Sequence, residues 1–95
     1  MNKDNYIYFK VGDRREITRL GAFDDFYVQA SMDGYTIYGL KLCGANKEDY
    51  RLALYETENI DIARSVLERI ASMMDAIEIN EKGNFKYVGT NAENG

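Results

Sequence analysis

Apolar residues recur in the second half of the chain at the spacing of an amphipathic helix. They follow one another at intervals of three and four, charged residues occupy the opposite side, and the stripe consists of Ile60, Ala63, Leu67, Ile70, Met74 and Ile77. This pattern predicts a helix from about Ile60 to about Ile79 that packs on a core through one face.

Two features bear on the ends of this helix. Thr57 and Asn59 precede the stripe, and their side-chain oxygens are suited to accept hydrogen bonds from the first free backbone N–H groups. A competing interpretation stops the helix near Asp75 and makes residues 76–80 a short strand, because the apolar residues there also alternate.

The rest of the chain shows the two-residue alternation of β-strands. Four clear strands are predicted, followed by a short last one, at residues 6–11, 26–32, 35–43, 50–56 and 85–88. Residues 15–20 are ambiguous between an edge strand carrying Ile17 and an irregular connection. Asp33-Gly34 lies between two alternating runs and predicts a type I′ hairpin turn, and the polar segment 44–49 predicts a second hairpin.

These elements predict a two-layer α+β domain, an antiparallel sheet of four to five strands packed on one C-terminal helix, with a short final strand. We expect one domain over residues 1–89 and a disordered tail at residues 90–95. One helix covers one face of a sheet, and we expect that face to carry Ile7, Phe9, Val11, Phe26, Val28, Ala30, Leu40, Leu42, Leu52 and Leu54. The uncovered face then carries tyrosines, namely Tyr6, Tyr8, Tyr27, Tyr35 and Tyr55.

Composition narrows the function classes. The 95 residues are 45% hydrophobic and 13% aromatic, as expected for one globular domain, and the net charge of −4 makes general nucleic-acid binding unfavourable. We expect a cytoplasmic protein without membrane contact, because no apolar run is long enough for a membrane helix and the N-terminus lacks a signal-peptide pattern. Cys43 is the single cysteine, and a small buried hydrophobe is its expected role.

The residues that usually carry enzyme chemistry are missing or isolated. The chain has no histidine, which is the commonest general base and a common metal ligand. The serines and glycines match neither nucleophile nor phosphate-binding motifs, and the acidic pairs Asp24-Asp25 and Glu48-Asp49 have the context of turns. We therefore predict no catalytic residues, no metal site and no cofactor.

Eight tyrosines and no tryptophan draw attention to the uncovered face. Three interpretations remain open: a solvated face stabilised by cross-strand tyrosine pairs, a surface that packs on a protein partner or on a second copy through the sheet, and a surface that stacks bases. The candidate binding residues are Tyr8, Tyr27, Tyr35, Tyr55, Arg14, Arg15 and Arg51.

A distinctive set of residues runs from the fourth strand into the helix: Tyr55, Glu56, Thr57, Glu58, Ala63, Val66, Leu67, Glu68 and Ile70. Together with the hairpins before it, over residues 26–80, this set resembles a pattern in small uncharacterised proteins of Gram-positive bacteria and their phages. The resemblance implies a small accessory or phage-borne protein, a group that includes inhibitors of bacterial defence systems. Some of these bind a host protein and others sequester a signalling nucleotide.

The function expected from the sequence is a non-catalytic protein-interaction module, with a homodimer through the sheet or a host protein as its partner. The alternative is a domain that sequesters a small ligand or signalling nucleotide. Such a domain needs a concave pocket with converging donors, for which Arg14, Arg15, Arg19 and Arg51 are the dense supply.

Overall fold

A computed structural model describes residues 5–45 and 47–88. Within these ranges the elements are, in chain order, β1 Tyr6–Val11, β2 Arg14–Arg19, a 3-10 turn Leu20–Ala22, β3 Asp25–Ser31, β4 Gly34–Lys41, β5 Tyr50–Thr57, α1 Ile60–Met73, β6 Ile77–Ile79 and β7 Phe85–Tyr87. The predicted α+β class is confirmed, with antiparallel strands, a helix in the second half and a short last strand. The tail predicted at residues 90–95 lies outside the described residues.

The described strands form three antiparallel sheets, β1–β2, β3–β4–β5 and β6–β7. The ambiguous segment at residues 15–20 is mostly strand, because β2 pairs with β1 along its whole length. Helix α1 packs on all three strands of the central sheet. The β1–β2 hairpin packs beside β5, where the rings of Phe9 and Tyr55 have their centroids 6.3 Å apart.

The core lies between α1, the central sheet and the 3-10 turn. Its fully buried centre is formed by Leu20, Ile37 and Ile70, and partly buried apolar side chains pack around it, namely Ile7, Phe26, Val28, Tyr55, Val66, Leu67 and Met73. Leu20 and Ile37 were not among the residues predicted for the covered face.

Three residues predicted for the covered face are exposed instead: Val11, Ala30 and Leu42. Val11 ends β1, Ala30 is near the end of β3, and Leu42 follows the last residue of β4. Val11 belongs to a different sheet from the one on which α1 packs. Leu40, which was also predicted for the covered face, lies three residues after buried Ile37 and is therefore on the other side of β4.

Helix α1 begins and ends through identifiable caps. The Asn59 side chain accepts hydrogen bonds from the backbone N–H groups of Asp61 and Ile62, as its position before the stripe predicted. At the other end Asp75 has a positive φ of 57°, and the N–H of Ala76 donates to the carbonyl of Ala71 at 2.9 Å. This Schellman geometry stops the helix.

The predicted helix end near Ile79 is therefore wrong, and the competing interpretation is correct. Residues 77–79 form β6, which pairs with β7 so that Ile77 lies opposite Tyr87 and Ile79 opposite Phe85.

The hairpin between β3 and β4 is confirmed, but its predicted turn is wrong. Ser31 pairs with Gly34, so Met32 and Asp33 connect the strands. A type I′ turn needs positive φ at both central residues, and within the turn only Gly34 has one, at 141°. A side chain at Gly34 would place its Cβ 2.7 Å from the carbonyl oxygen of Thr57, so this position requires glycine.

Candidate functional site

Two tyrosines lie side by side on the face of the central sheet that points away from α1. Tyr27 of β3 is directly opposite Tyr38 of β4, and their ring centroids are 5.5 Å apart with the planes inclined by 32°. Successive strand residues point to opposite faces, and the neighbours Val28 and Ile37 pack in the core. We call this side of the central sheet the open face.

Arg51 of β5 joins the two tyrosines into one cluster. Its guanidinium carbon lies 4.2 Å from the centroid of the Tyr38 ring, within the range of a cation–π contact. Its Nη1 donates to the hydroxyl of Tyr27 and to Oε1 of Gln29, each at 3.3 Å. Tyr27, Gln29, Tyr38 and Arg51 are hereafter the tyrosine–arginine cluster.

The electrostatics of the tyrosine–arginine cluster favour the charged form of Arg51. The hydrogen bond to Tyr27 is the largest cause that raises the pKa of Arg51, and the proximity of Tyr27 and Tyr38 adds to it. Both described hydrogen bonds of this side chain come from Nη1. Its Nε and Nη2 groups can therefore donate to a ligand carboxylate.

An irregularity in β5 decides which side chains reach the open face. Ile37 pairs with Tyr55 and Tyr38 pairs with Ala53, so the register skips at Leu54. Beyond this bulge Tyr55 is on the side of the core, and small Ala53 lies opposite Tyr38. Arg51, two residues before Ala53, is the diagonal neighbour that reaches the Tyr38 ring.

Two of the seven candidate binding residues, Tyr27 and Arg51, are in contact in the tyrosine–arginine cluster. The cluster also contains Tyr38, which was not among the candidates. Tyr38 was missed because Leu40, which shares its side of β4, was assigned to the covered face. The hairpin register then decides which residue of β4 lies opposite Tyr27. A turn centred on Asp33-Gly34 would pair Tyr27 with Leu40, whereas the observed connection through Met32-Asp33 pairs it with Tyr38.

Tyr8 and Arg15 lie on a different sheet from the tyrosine–arginine cluster. Tyr8 is well exposed on β1, where it faces Ile17 of β2. Nη1 of Arg15 donates to the carbonyls of Gly12 and Arg14, both at 2.7 Å, so this side chain is held at the turn of its own hairpin.

The prediction that Tyr35 and Tyr55 lie on the uncovered face is wrong. Tyr35 is two residues before buried Ile37 and shares its side of the sheet. Tyr55 is partly buried against the core and beside the Phe9 ring. The bulge at Leu54 accounts for Tyr55, because it breaks the alternation on which the prediction depended.

Arg14 serves the fold rather than an exposed site. Its Nη1 donates to the carbonyl of Leu54 at 2.6 Å, its Nη2 pairs with Oε1 of Glu16 at 2.6 Å, and its guanidinium carbon lies 5.3 Å from the Phe9 ring centroid. These contacts fasten the β1–β2 hairpin to β5.

Two concave regions of the described chain were candidates for the predicted arginines, and neither is lined by them. A polar pocket of about 430 Å³ beside the β3–β4 turn contains the acidic side chains of Asp33, Glu56 and Glu58. An apolar groove of about 380 Å³ runs between α1 and β3 and is lined by Phe23, Leu67 and their neighbours. Neither contains Arg14, Arg15, Arg19 or Arg51, and the carboxylates of the first are unfavourable for a phosphate.

The described part of the chain contains no group of three or more histidine, cysteine, aspartate or glutamate side chains placed to hold a metal ion. No helix in residues 5–45 or 47–88 has both the length and the apolar character needed to cross a membrane.

Comparison with known proteins adds no family. No protein-family model matches the chain, and neither a curated protein nor a solved structure is significantly similar to it.

Proposed function

We propose that this protein is a non-catalytic protein-interaction module that binds its partner through the tyrosine–arginine cluster. The observation that carries this proposal is the contact of Arg51 with Tyr38 and Tyr27, which assembles side chains from three strands on the open face.

The residue types and their state before binding both support a protein partner. Tyrosine and arginine are enriched among the residues that dominate protein interfaces. Ordering a flexible side chain on binding costs about 0.5–1.5 kcal/mol. Arg51 is already held by the Tyr38 ring and two hydrogen bonds in the free protein, so binding a partner orders this side chain at a smaller cost in entropy.

The cluster also indicates the chemistry of the partner. The rings of Tyr27 and Tyr38 are half-buried on an open sheet, which favours a broad apolar contact over insertion of a small molecule. The free donors of Arg51 favour a carboxylate at the edge of that contact. We infer a partner protein that presents an aspartate or glutamate beside apolar side chains, and the resemblance to phage-borne proteins makes a host protein of a bacterial defence system a candidate.

Sequestration of a signalling nucleotide is the alternative, and the distribution of the arginines disfavours it. Arg14 is bonded to β5, Arg15 to its own turn, and Arg51 lies within the tyrosine–arginine cluster. A nucleotide site would need several of these cations to converge in a pocket.

Capture followed by titration tests the proposal. Tagged wild-type protein is used to isolate partners from host lysate, and a captured protein is then purified and titrated against wild-type, Tyr38→Ser and Arg51→Ser proteins. Tyr8→Ser is the matched control, because Tyr8 is an exposed tyrosine on another sheet. We expect each cluster variant to weaken binding about tenfold or more, while the control binds normally.

Two outcomes would refute the proposal. One is a purified partner that binds the Tyr38→Ser and Arg51→Ser proteins as tightly as wild type. The other is a wild-type protein that retains no partner that binds it in titration. Thermal melts of all variants ensure that lost binding is compared between folded proteins.

A further inference from the structure

The β6–β7 ribbon presents an apolar surface whose large side chains are each more than half exposed. Ile77 lies opposite Tyr87 and Ile79 opposite Phe85, so these four side chains share one face. Their exposed fractions are 52%, 52%, 62% and 69% in that order. The other face carries the Glu78 and Lys86 pair. We call the side with the four apolar residues the ribbon face.

The size of the ribbon face is that of an interaction site. Four side chains of this kind, each more than half exposed, present roughly 400 Å² of apolar surface. The largest apolar patch on a monomer is about 300–600 Å² and is often functional. It is also about half of what each partner contributes to a standard interface, so the flanking residues must supply the remainder.

Charge indicates which surface of this chain could pair with its own copy. The outer face of β1–β2 carries Lys10 and Arg15 directly opposite one another, so pairing two such faces would bring like charges together. The exposed side of α1 carries Asp61 and Glu68 along with basic residues. The ribbon face has no charged member, so two copies can approach without like charges in contact.

The remaining residues of this sequence offer no matching apolar segment. Residues 1–4, 46 and 89–95 contain one large apolar side chain, Met1. A two-stranded ribbon is also marginally stable by itself and gains from packing against further strands. A second ribbon supplies both the apolar area and the strands.

We propose that the ribbon face, formed by Ile77, Ile79, Phe85 and Tyr87, is a homodimer interface in which it packs on the same face of a second copy around a two-fold axis. This assignment places self-association on β6–β7 and leaves the open face of the central sheet to a different protein. It does not depend on the proposed function, because the two surfaces belong to different sheets.

Introducing like charges at the ribbon face tests the dimer. One variant carries Ile79→Asp with Phe85→Asp, and a second carries Ile79→Lys with Phe85→Lys. Light scattering of wild-type protein is expected to give the mass of two chains, and each variant alone the mass of one, because like charges then meet across the axis. An equimolar mixture of the two variants restores the dimer. Ile17→Asp, at the exposed Ile17 of β2, is the control and stays dimeric.

Several results would overturn the interface. The first is that wild-type protein is monomeric at roughly 100 µM. The second is that the aspartate variant remains dimeric, and the third is that the mixture of the two variants does not associate. If the charged variants fail to fold, thiol cross-linking decides. In a Cys43→Ser background, a short bis-maleimide must link Ile79→Cys protein into dimers and leave Ile17→Cys protein unlinked, and the reverse pattern rejects the proposal.

Discussion

Substitution of Gly39 by alanine tests how an aromatic ring closes the core against β4. Gly39 is buried, and a Cβ at this position would lie 2.8 Å from Cδ1 and 2.9 Å from Cγ of Phe23. Gly39 is not among the glycines with positive φ, so alanine introduces no backbone strain. The steric contact with the ring therefore determines the outcome, and we expect Gly39→Ala to destabilise the protein by about 1–3 kcal/mol.

The same substitution is expected to behave differently once the ring is absent. In a Phe23→Ala background the contact is gone, and alanine restricts the unfolded chain more than glycine does. Gly39→Ala should then be neutral or stabilising by about 0.4–1 kcal/mol. Urea unfolding of the wild type, both single variants and the double variant, followed by circular dichroism, gives a coupling energy that we expect to be about 1–4 kcal/mol.

Equal effects of Gly39→Ala in the two backgrounds would refute this reasoning. They would show that the Phe23 ring does not rest on β4, although its centroid lies 5.7 Å from that of Phe26 in an edge-on contact. A change in the slope of the unfolding free energy with urea would instead report an altered unfolded or native ensemble.

Three further substitutions test other parts of the fold by their effect on the free energy of unfolding. Ile70→Ala should cost about 2–5 kcal/mol and more than Leu67→Ala, because Ile70 is 1% exposed and Leu67 only partly buried. A larger cost for Leu67→Ala would show that the core face of α1 has been assigned incorrectly. Thr18→Val should stabilise the protein by about 1 kcal/mol, since the buried Thr18 hydroxyl has no hydrogen-bond partner among the described residues. A loss of stability would show that this hydroxyl does have a hydrogen-bond partner. Gly34→Ala should cost more than about 1 kcal/mol, because the new Cβ would contact the backbone of Thr57 and residue 34 has a positive φ. An unchanged midpoint of urea unfolding would show that the turn can rearrange.

Local signals in the sequence were sufficient for the elements that depend on local periodicity. The apolar stripe located the start and inner face of α1, and Asn59 supplied the cap that its position predicted. Alternation located β1, β3, β4 and β5 to within a few residues. Both kinds of signal arise within one element, because side-chain direction follows from the backbone geometry of a helix or a strand.

The end of the helix shows where local signals were insufficient. Ile77 and Ile79 fit the helical stripe and also fit an alternating strand, so periodicity alone did not distinguish the two. The left-handed conformation of Asp75 and the pairing of β6 with β7 made the choice. A partner strand that lies several residues further along the chain is invisible to a periodicity window.

The tyrosine–arginine cluster depended on tertiary structure for two reasons. Moving the hairpin centre by one residue moves the partner of Tyr27 by two positions, from Leu40 to Tyr38. The bulge at Leu54 then turned Tyr55 toward the core and left Arg51 within reach of Tyr38. Amino-acid types indicated that tyrosines and arginines would be exposed, but strand register decided which of them meet, because register is a relation between strands and not a property of either one.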